Sequence, residues 1–402
     1  MDINLSNSPV HYITRDIERA LGLDNKNNDF FIISNNTSFA KKFGDNNLTV
    51  IDNVVPLSTR ELMEQSILPS DSNIIVFKNT RGMERIAYDR NWKILNPSAI
   101  LSNTIEEKIS QVAWLGALSE LLPPHSVSTC KDLLWSGEQY VVQYNHAHSG
   151  EGTLLISSER DTDVLKEKFP NRPVRVTQFI DGPLFTVNAV IHSTGVMISS
   201  PSYQITGVSP FTNNKFTTIG NDWGAADQML SDDDKNKINN MAKTIGHKMK
   251  EDGWKGVFGI DVVRVESTEK IYLIEINARQ PASVTYESHL QYESTETQEK
   301  LVSTFEAHLA ALLDIDLNEY SLAPITNGAQ IIQRITEEVN EVTEDIMEKL
   351  EALGCSVIEY GNERMGSELL RIQSGESFIE KHDELNNLGK NIARHLDRNE
   401  ER

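Results

Sequence analysis

Apolar positions along the chain follow two rhythms. Short β-branched runs bounded by Asn, Ser and Asp, Phe30-Phe31-Ile32-Ile33 and Asn73-Ile74-Ile75-Val76-Phe77, read as buried parallel strands. Polar, helix-compatible stretches separate them, which predicts an open α/β sheet over residues 1–100. A helix is predicted from about Asn103, capped by Asn103 with Glu106 three residues on. Ile105, Ile109, Val112 and Ala113 share its apolar face, and Pro123-Pro124 stop it.

Tyr140 to Gln143 is strand-like and runs into a polar loop, His146 to Thr153, from which Leu154-Leu155-Ile156 leaves as another strand. Val174–Ile180 and Thr186–Ile191 read as strands around Asp181-Gly182-Pro183. Ser231 starts a helix with Asp232, Asp233 and Asp234 in its first turn, where the positive end of the helix dipole favours them. Ile238, Met241, Ala242, Ile245 and Met249 form its apolar stripe, and Gly253 ends it. Strands Val257–Val265 and Ile271–Ile276 follow, then a helix near Ser303–Leu313. Beyond the turn residues Ala323 to Gly328, a last unit holds a helix near Glu337–Leu353 and strands at Ser356–Ile358 and Glu368–Ile372.

Composition narrows the function classes. The chain has 402 residues, 39% hydrophobic and 24% charged, with a net charge of −21 from 38 basic and 59 acidic side chains. Such a surface repels phosphate backbones and anionic lipid, so neither nucleic acid nor membrane is an expected partner. No apolar run reaches the roughly 20 residues that span a bilayer. The opening residues carry no basic-then-apolar pattern, and a cytoplasmic location is expected. Cys130 and Cys355 lack metal-ligand spacing and read as reduced thiols.

The most informative segment is Gly259-Ile260-Asp261-Val262-Val263-Arg264-Val265, a polar turn, and Ile271-Tyr272-Leu273-Ile274-Glu275-Ile276-Asn277-Ala278-Arg279. It predicts a β-hairpin. Glu275 and Asn277 fall on one face, and a turn symmetric about Thr268 sets Asp261 opposite Glu275. Facing carboxylates repel, and a divalent cation removes the conflict. Two carboxylates and an amide oxygen suit Mg²⁺, with Mn²⁺ as a substitute. Arg279 adds a fork of donors for anionic oxygen. The competing reading is a hairpin with polar residues on its wet face.

The run "GIDVVRV…YLIEINAR" resembles the metal-binding signature of the ATP-grasp superfamily, and the order of parts over residues 100–320 is similar. The resemblance implies an α/β (α+β) chain with an ATP-grasp fold, divided into a Rossmann-like domain at 1–100, the grasp domain at 101–326 and a small C-terminal α/β unit at 327–402. A small ATP subdomain falls at about 124–182. It implies Asp261, Glu275 and Asn277 as magnesium ligands and Arg279 on the acyl phosphate or substrate carboxylate. Lys108 matches a nucleotide lysine. Ser149, Gly150, Gly152 and Thr153 match a glycine loop over the phosphates, and Gln178, Phe179 and Ile180 a hinge that reads adenine. Two positions depart from the family: Gln143 where a second lysine is usual, and Leu184 where an acidic ribose ligand is usual. Apart from the resemblance, His146 and His148 flank the loop and offer donors to phosphate, with a His-x-His metal site or plain loop histidines as the alternatives.

The implied activity is an ATP-dependent carboxylate–amine ligase working through an acyl phosphate. Its partners are a small-molecule acid and amine, an amino acid or peptide among them, and a homodimer is the common default. A carboxylase or phosphotransferase on the same fold, or a degenerate nucleotide binder, are the alternatives. The Gly-, Asn- and aromatic-rich stretch Ser200–Trp223 is expected to line the substrate site, with Arg364 capping it.

Overall fold

The computed structural model describes residues 9–23, 29–42, 47–53, 55–145, 152–295 and 299–397. The first apolar runs form a five-stranded parallel sheet in the order Leu48–Ile51, Phe30–Asn35, Val10–Ile13, Asn73–Ile75, Lys93–Ile94. Chain order reverses between Val10–Ile13 and Asn73–Ile75. The segments leaving the carboxyl ends of these two strands, Thr14 to Ala20 and Val76 to Thr80, therefore open onto a crevice, the place where open α/β sheets bind ligands.

A nine-stranded antiparallel sheet forms the body. It runs Ile271–Asn277, Gly256–Arg264, Leu184–Ile191, Ser202–Thr206, Thr218–Asp222, Ala329–Arg334, Glu368–Ser374, Ser356–Glu359, with Val196–Ile198 beside Leu184–Ile191. Strands from both sides of residue 326 share it. The join is close: a Cβ on Gly220 would collide with the Gln330 carbonyl oxygen across the pair Gly220–Ile331. The helix Asp232–Glu251 lays Ile238, Ala242, Ile245 and Met249, all buried, on the apolar side. Ser231 and Asp234 form its capping box, with three aspartates in the first turn.

The two sheets are joined through the apolar helix Thr304–Leu312, capped by the Ser303–Glu306 box. Phe305 packs on Tyr12 and Phe30 with ring centres 6.1 Å apart in each case. A third sheet, His125–Thr129, Pro173–Gln178, Tyr140–Tyr144, Thr153–Ile156, carries the helix Glu159–Lys168 and its own small core of Cys130, Tyr140, Val142, Ile156, Leu165 and Val174. No helix among the described residues is long and apolar enough to cross a membrane.

Several expected boundaries shift. The helix placed at Asn103 starts at Ala99 with Ser98 as its cap, ends at Glu106, and resumes as Lys108–Leu115. Gly116, at φ +56°, ends that second helix seven residues before Pro123. The Glu337–Leu353 helix shortens to Glu344–Ala352, because Thr343 is its cap.

Glu287, on the helix Val284–Thr295, is 1% exposed and accepts from the Thr304 hydroxyl at 2.6 Å and from Asn188 at 2.7 Å. Burial raises its pKa from 4.5 to about 7. The folded state thus holds this proton more tightly than the unfolded one. The stabilisation is full below pH 4.5 and is lost as pH rises through about 7. Glu287→Gln is expected to match wild type in Tm at pH 4.5 and to exceed it by about 2–5 °C at pH 8. A Tm difference independent of pH would contradict this origin.

Candidate active site

The hairpin forms as Gly256–Arg264 and Ile271–Asn277, and Asp261 lies opposite Glu275. The symmetry about Thr268 does not hold along its length. Arg264 pairs Ile271 and Val262 pairs Leu273, one residue out of the symmetric register. A bulge at Ile274 then restores the Asp261–Glu275 pair. The bulge also aims the Ile274 carbonyl at Arg175, which donates to it at 3.1 Å.

Asp261 is buried. One carboxylate oxygen accepts from the Thr186 hydroxyl at 2.7 Å, the other from the Asn277 amide at 3.1 Å. Burial, then the facing Glu275, hold its pKa above the usual range. A cation bound between the two would reverse both effects. Lys108, in the first turn of its helix, is buried and meets Glu275 at 2.7 Å. Burial lowers its pKa and Glu275 opposes that. Among the described residues no three His, Cys, Asp or Glu side chains cluster. The oxygen set is therefore two carboxylates and an amide, which suits a hard ion that keeps water and phosphate oxygens in its shell.

Arg279 continues the same strand to the crevice of the parallel sheet. It pairs with Glu106, whose other carboxylate oxygen meets Lys78 at 2.5 Å. Burial, then Arg19, lower the Arg279 pKa to about 10, and burial, then Arg279, lower that of Lys78 to about 8. The next residue is clamped to the parallel sheet: Gln280 accepts from Tyr12 at 2.7 Å and donates to the Arg19 carbonyl at 2.8 Å. Its backbone N–H donates to the Phe77 carbonyl at 2.9 Å. Lys78 and Arg19 thus face Arg279 at the strand reversal. Neither was singled out from sequence, because nothing local marks a lysine 200 residues away as a neighbour of Arg279.

On the other side of the hairpin opens a cleft lined by Val141, Gln143, Thr153, Arg175, Ile274 and Val263, with Gln178 to Gly182, Leu184 and Pro123. Thr153, Gln178, Phe179 and Ile180 therefore come together with the two departures, Gln143 and Leu184. The strand Pro173–Gln178 ends at Gln178, so Phe179 and Ile180 leave their main chain unpaired in the ladder. Gly182 crosses so close to the Arg264 carbonyl oxygen that a Cβ would collide with it. Gly152 is described; Ser149 and Gly150, with His146 and His148, lie outside the described residues. Asn145 ties the base of this loop to the Lys108 helix, accepting from the Ile109 N–H at 2.9 Å and donating to Glu107 at 2.8 Å.

The Ser200–Trp223 stretch is less loop-like than expected. Ser202–Thr206 and Thr218–Asp222 are central strands, and Tyr203, Gln204, Thr206, Lys215 and Phe216 line the cleft that holds the hinge. His382 and Asp383 reach the same cleft from the turn between the paired strands Ile379–Lys381 and Glu384–Leu385, hydrogen-bonded to the Tyr203 hydroxyl at 2.9 and 3.2 Å. Arg364 is exposed and does not cap it. The buried C-terminal arginine is Arg371, whose Nε donates to the Tyr360 hydroxyl at 2.9 Å, which in turn donates to Glu18 at 2.8 Å. The sequence did not single out Arg371, because Leu369 to Ser374 are all buried and alternation along this strand marks no inward face.

Residues 105–283 match the family model of an ATP-grasp domain. The fold is similar over nearly the whole chain to an N5-carboxyaminoimidazole synthase from Aspergillus clavatus, solved with ADP and 5-aminoimidazole ribonucleotide. That match has 17% identity, covers 97% of this chain and 98% of the other, and has a TM-score of 0.65. An L-amino acid ligase from Bacillus licheniformis matches at 14% identity, 97% of both chains and a TM-score of 0.66. An N5-carboxyaminoimidazole ribonucleotide synthetase from Thermus thermophilus matches at 16% identity, 97% and 98% coverage and a TM-score of 0.63. No curated protein matches the sequence.

Proposed function

We propose that this chain, whose residues 105–283 match an ATP-grasp domain, joins a carboxylic acid to an amine at the cost of ATP, releasing ADP and phosphate. The observation that carries the proposal is the facing pair Asp261 and Glu275 with Asn277, set between the hinge cleft and the Arg279–Glu106–Lys78 cluster. A nucleotide with its base at Gln178–Ile180 would extend its phosphates toward the pair. Asp261, Glu275 and Asn277 would hold Mg²⁺, which would supply charge neutralisation to the phosphates. We divide the chain accordingly at 1–100, 101–326 and 327–402.

The acid substrate is assigned to the crevice at the strand reversal, where Arg279 and Lys78 offer donors. Its carboxylate attacks the γ-phosphorus, the bond to the β-phosphate oxygen breaks, and ADP leaves with an acyl phosphate formed. Arg279 steadies charge on that intermediate. The amine then attacks the acyl carbon, phosphate leaves, and the amine loses a proton as the amide forms. The residues position and neutralise rather than react.

An amino acid or short peptide as substrate fits the likeness to the L-amino acid ligase. A second reading, a small acid joined to the amine of a ribonucleotide, is favoured by the carboxyaminoimidazole enzymes of the same fold. Phosphate release from Mg-ATP by purified protein, with mass spectrometry of each substrate pool, tests the proposal. ADP, phosphate and an amide that appear only with particular amino acid or peptide pools support it. AMP and pyrophosphate as products would refute the acyl-phosphate route.

A further inference from the structure

Three cationic side chains are buried among the described residues: Lys108, Arg175 and Arg371. Lys108 has Glu275 at 2.7 Å and Arg371 has Glu368 at 3.9 Å. Arg175 is different. It is 1% exposed, yet no described carboxylate lies within 4.0 Å of it. All its hydrogen bonds go to neutral oxygens. Nε and Nη2 donate to the Gln143 side-chain oxygen at 2.9 and 2.7 Å, Nη1 to that of Gln111 at 2.9 Å, and Nη2 to the Ile274 carbonyl at 3.1 Å. A buried cation without a counter-charge is costly to maintain. Burial lowers its pKa only to about 10, with the more distant Glu275 charge opposing, so it stays charged at neutral pH.

Arg175 is also on the cleft wall. It stands three residues before Gln178 on the same strand, about 10 Å from the hinge at the rise of a β-strand. On the other side its partner Ile274 directly precedes Glu275. The guanidinium thus lies between the base-reading end of the cleft and the carboxylate pair. Gln143 is its cross-strand partner. A lysine at 143 would set two buried cations side by side, where like charges destabilise a strand pair. A glutamine there accepts two guanidinium hydrogen bonds instead.

We infer that Arg175, oriented by Gln143 and Gln111, is the anion seat of the cleft and binds the first phosphates of the nucleotide in place of a cation at position 143. The inference rests on the nucleotide reading of the cleft. It makes the neutral residue at 143 part of a working site rather than a mark of decay, because the positive charge has moved one strand over.

Calorimetric binding of Mg-ADP and of adenosine to the full chain tests it. Arg175→Gln is expected to weaken Mg-ADP roughly 30-fold or more, the scale for removing one partner of a buried charge contact. Adenosine, which lacks phosphate, should change by less than about threefold, a spread ordinary for a single altered contact. The exchanged pair Q143K/R175Q should bind Mg-ADP at least tenfold more tightly than Arg175→Gln alone, a coupling within the range of contacting residues. Unchanged Mg-ADP binding in Arg175→Gln, or equal losses for Mg-ADP and adenosine, would overturn the inference. So would failure of the exchanged pair to recover while its circular dichroism matches wild type. Wild-type protein that binds neither ligand would instead overturn the nucleotide reading itself, and with it this inference.

Discussion

Glu275→Ala is expected to abolish ATP-dependent product formation, with a loss of roughly a thousandfold or more, the scale of removing metal-assisted charge stabilisation. Two consequences separate it from a general loss of structure. Mg²⁺ should no longer shift the Tm of the variant. The variant should also be less stable than wild type, because Lys108 loses the carboxylate it meets at 2.7 Å. Breaking a buried pair costs about 3–5 kcal/mol, and the partial exposure of Glu275 reduces that to about 1–3 kcal/mol. Pairing Glu275→Gln with Lys108→Met should recover Tm without recovering turnover. Turnover in Glu275→Ala within tenfold of wild type would remove Glu275 from the metal site.

Arg279→Met should lower kcat by roughly 10²–10³-fold, the range for removing one donor aimed at developing charge. It should leave Mg-ADP affinity close to wild type, since Arg279 belongs to the Glu106–Lys78 cluster and not to the hinge cleft. The contrast with Arg175→Gln is the point of the pair. One variant loses chemistry with the nucleotide bound; the other loses the nucleotide. If Arg279→Met weakened Mg-ADP as much as Arg175→Gln does, the division of the site into a nucleotide cleft and an acid crevice would fail. A product assay and a titration of Mg-ADP on the same preparations decide it.

The nucleotide cleft shows how far local reading reaches. The strand ending at Gln178 and the turn at Asp181-Gly182 were legible locally, but the hinge role of Gln178, Phe179 and Ile180 came only from the family resemblance. Gln143 and Leu184 stood out only against the family pattern that the hairpin signature brought in. That Arg175 supplies the charge Gln143 lacks was hidden, since the two are 32 positions apart and meet only through sheet pairing. Lys78 stayed hidden for a related reason. Its neighbours Glu106 and Arg279 come from two other parts of the chain, and only the docking of the parallel sheet on Gln280 brings them together.

Helix ends tell the same story on a smaller scale. Asn103 with Glu106 looked like a cap and a capping box, yet Ser98 is the cap and Glu106 is drawn away to Lys78 and Arg279. A capping motif is a local preference worth about 1 kcal/mol, and a buried ion cluster outweighs it.

What the sequence by itself determined was the parts list. Strand periodicity, the alternation that puts Glu275 and Asn277 on one side, the pairing of Asp261 with Glu275, and the acid-capped helix at Ser231 all depend on neighbours within a hairpin or a turn, where spacing dictates geometry. Tertiary structure alone decided the bulge at Ile274, the extension of one sheet across residue 326, and the buried position of Arg175 with no described carboxylate within 4.0 Å. These depend on contacts between segments far apart in the chain. Their energies come from burial and from charges brought together, which no local pattern of residues records.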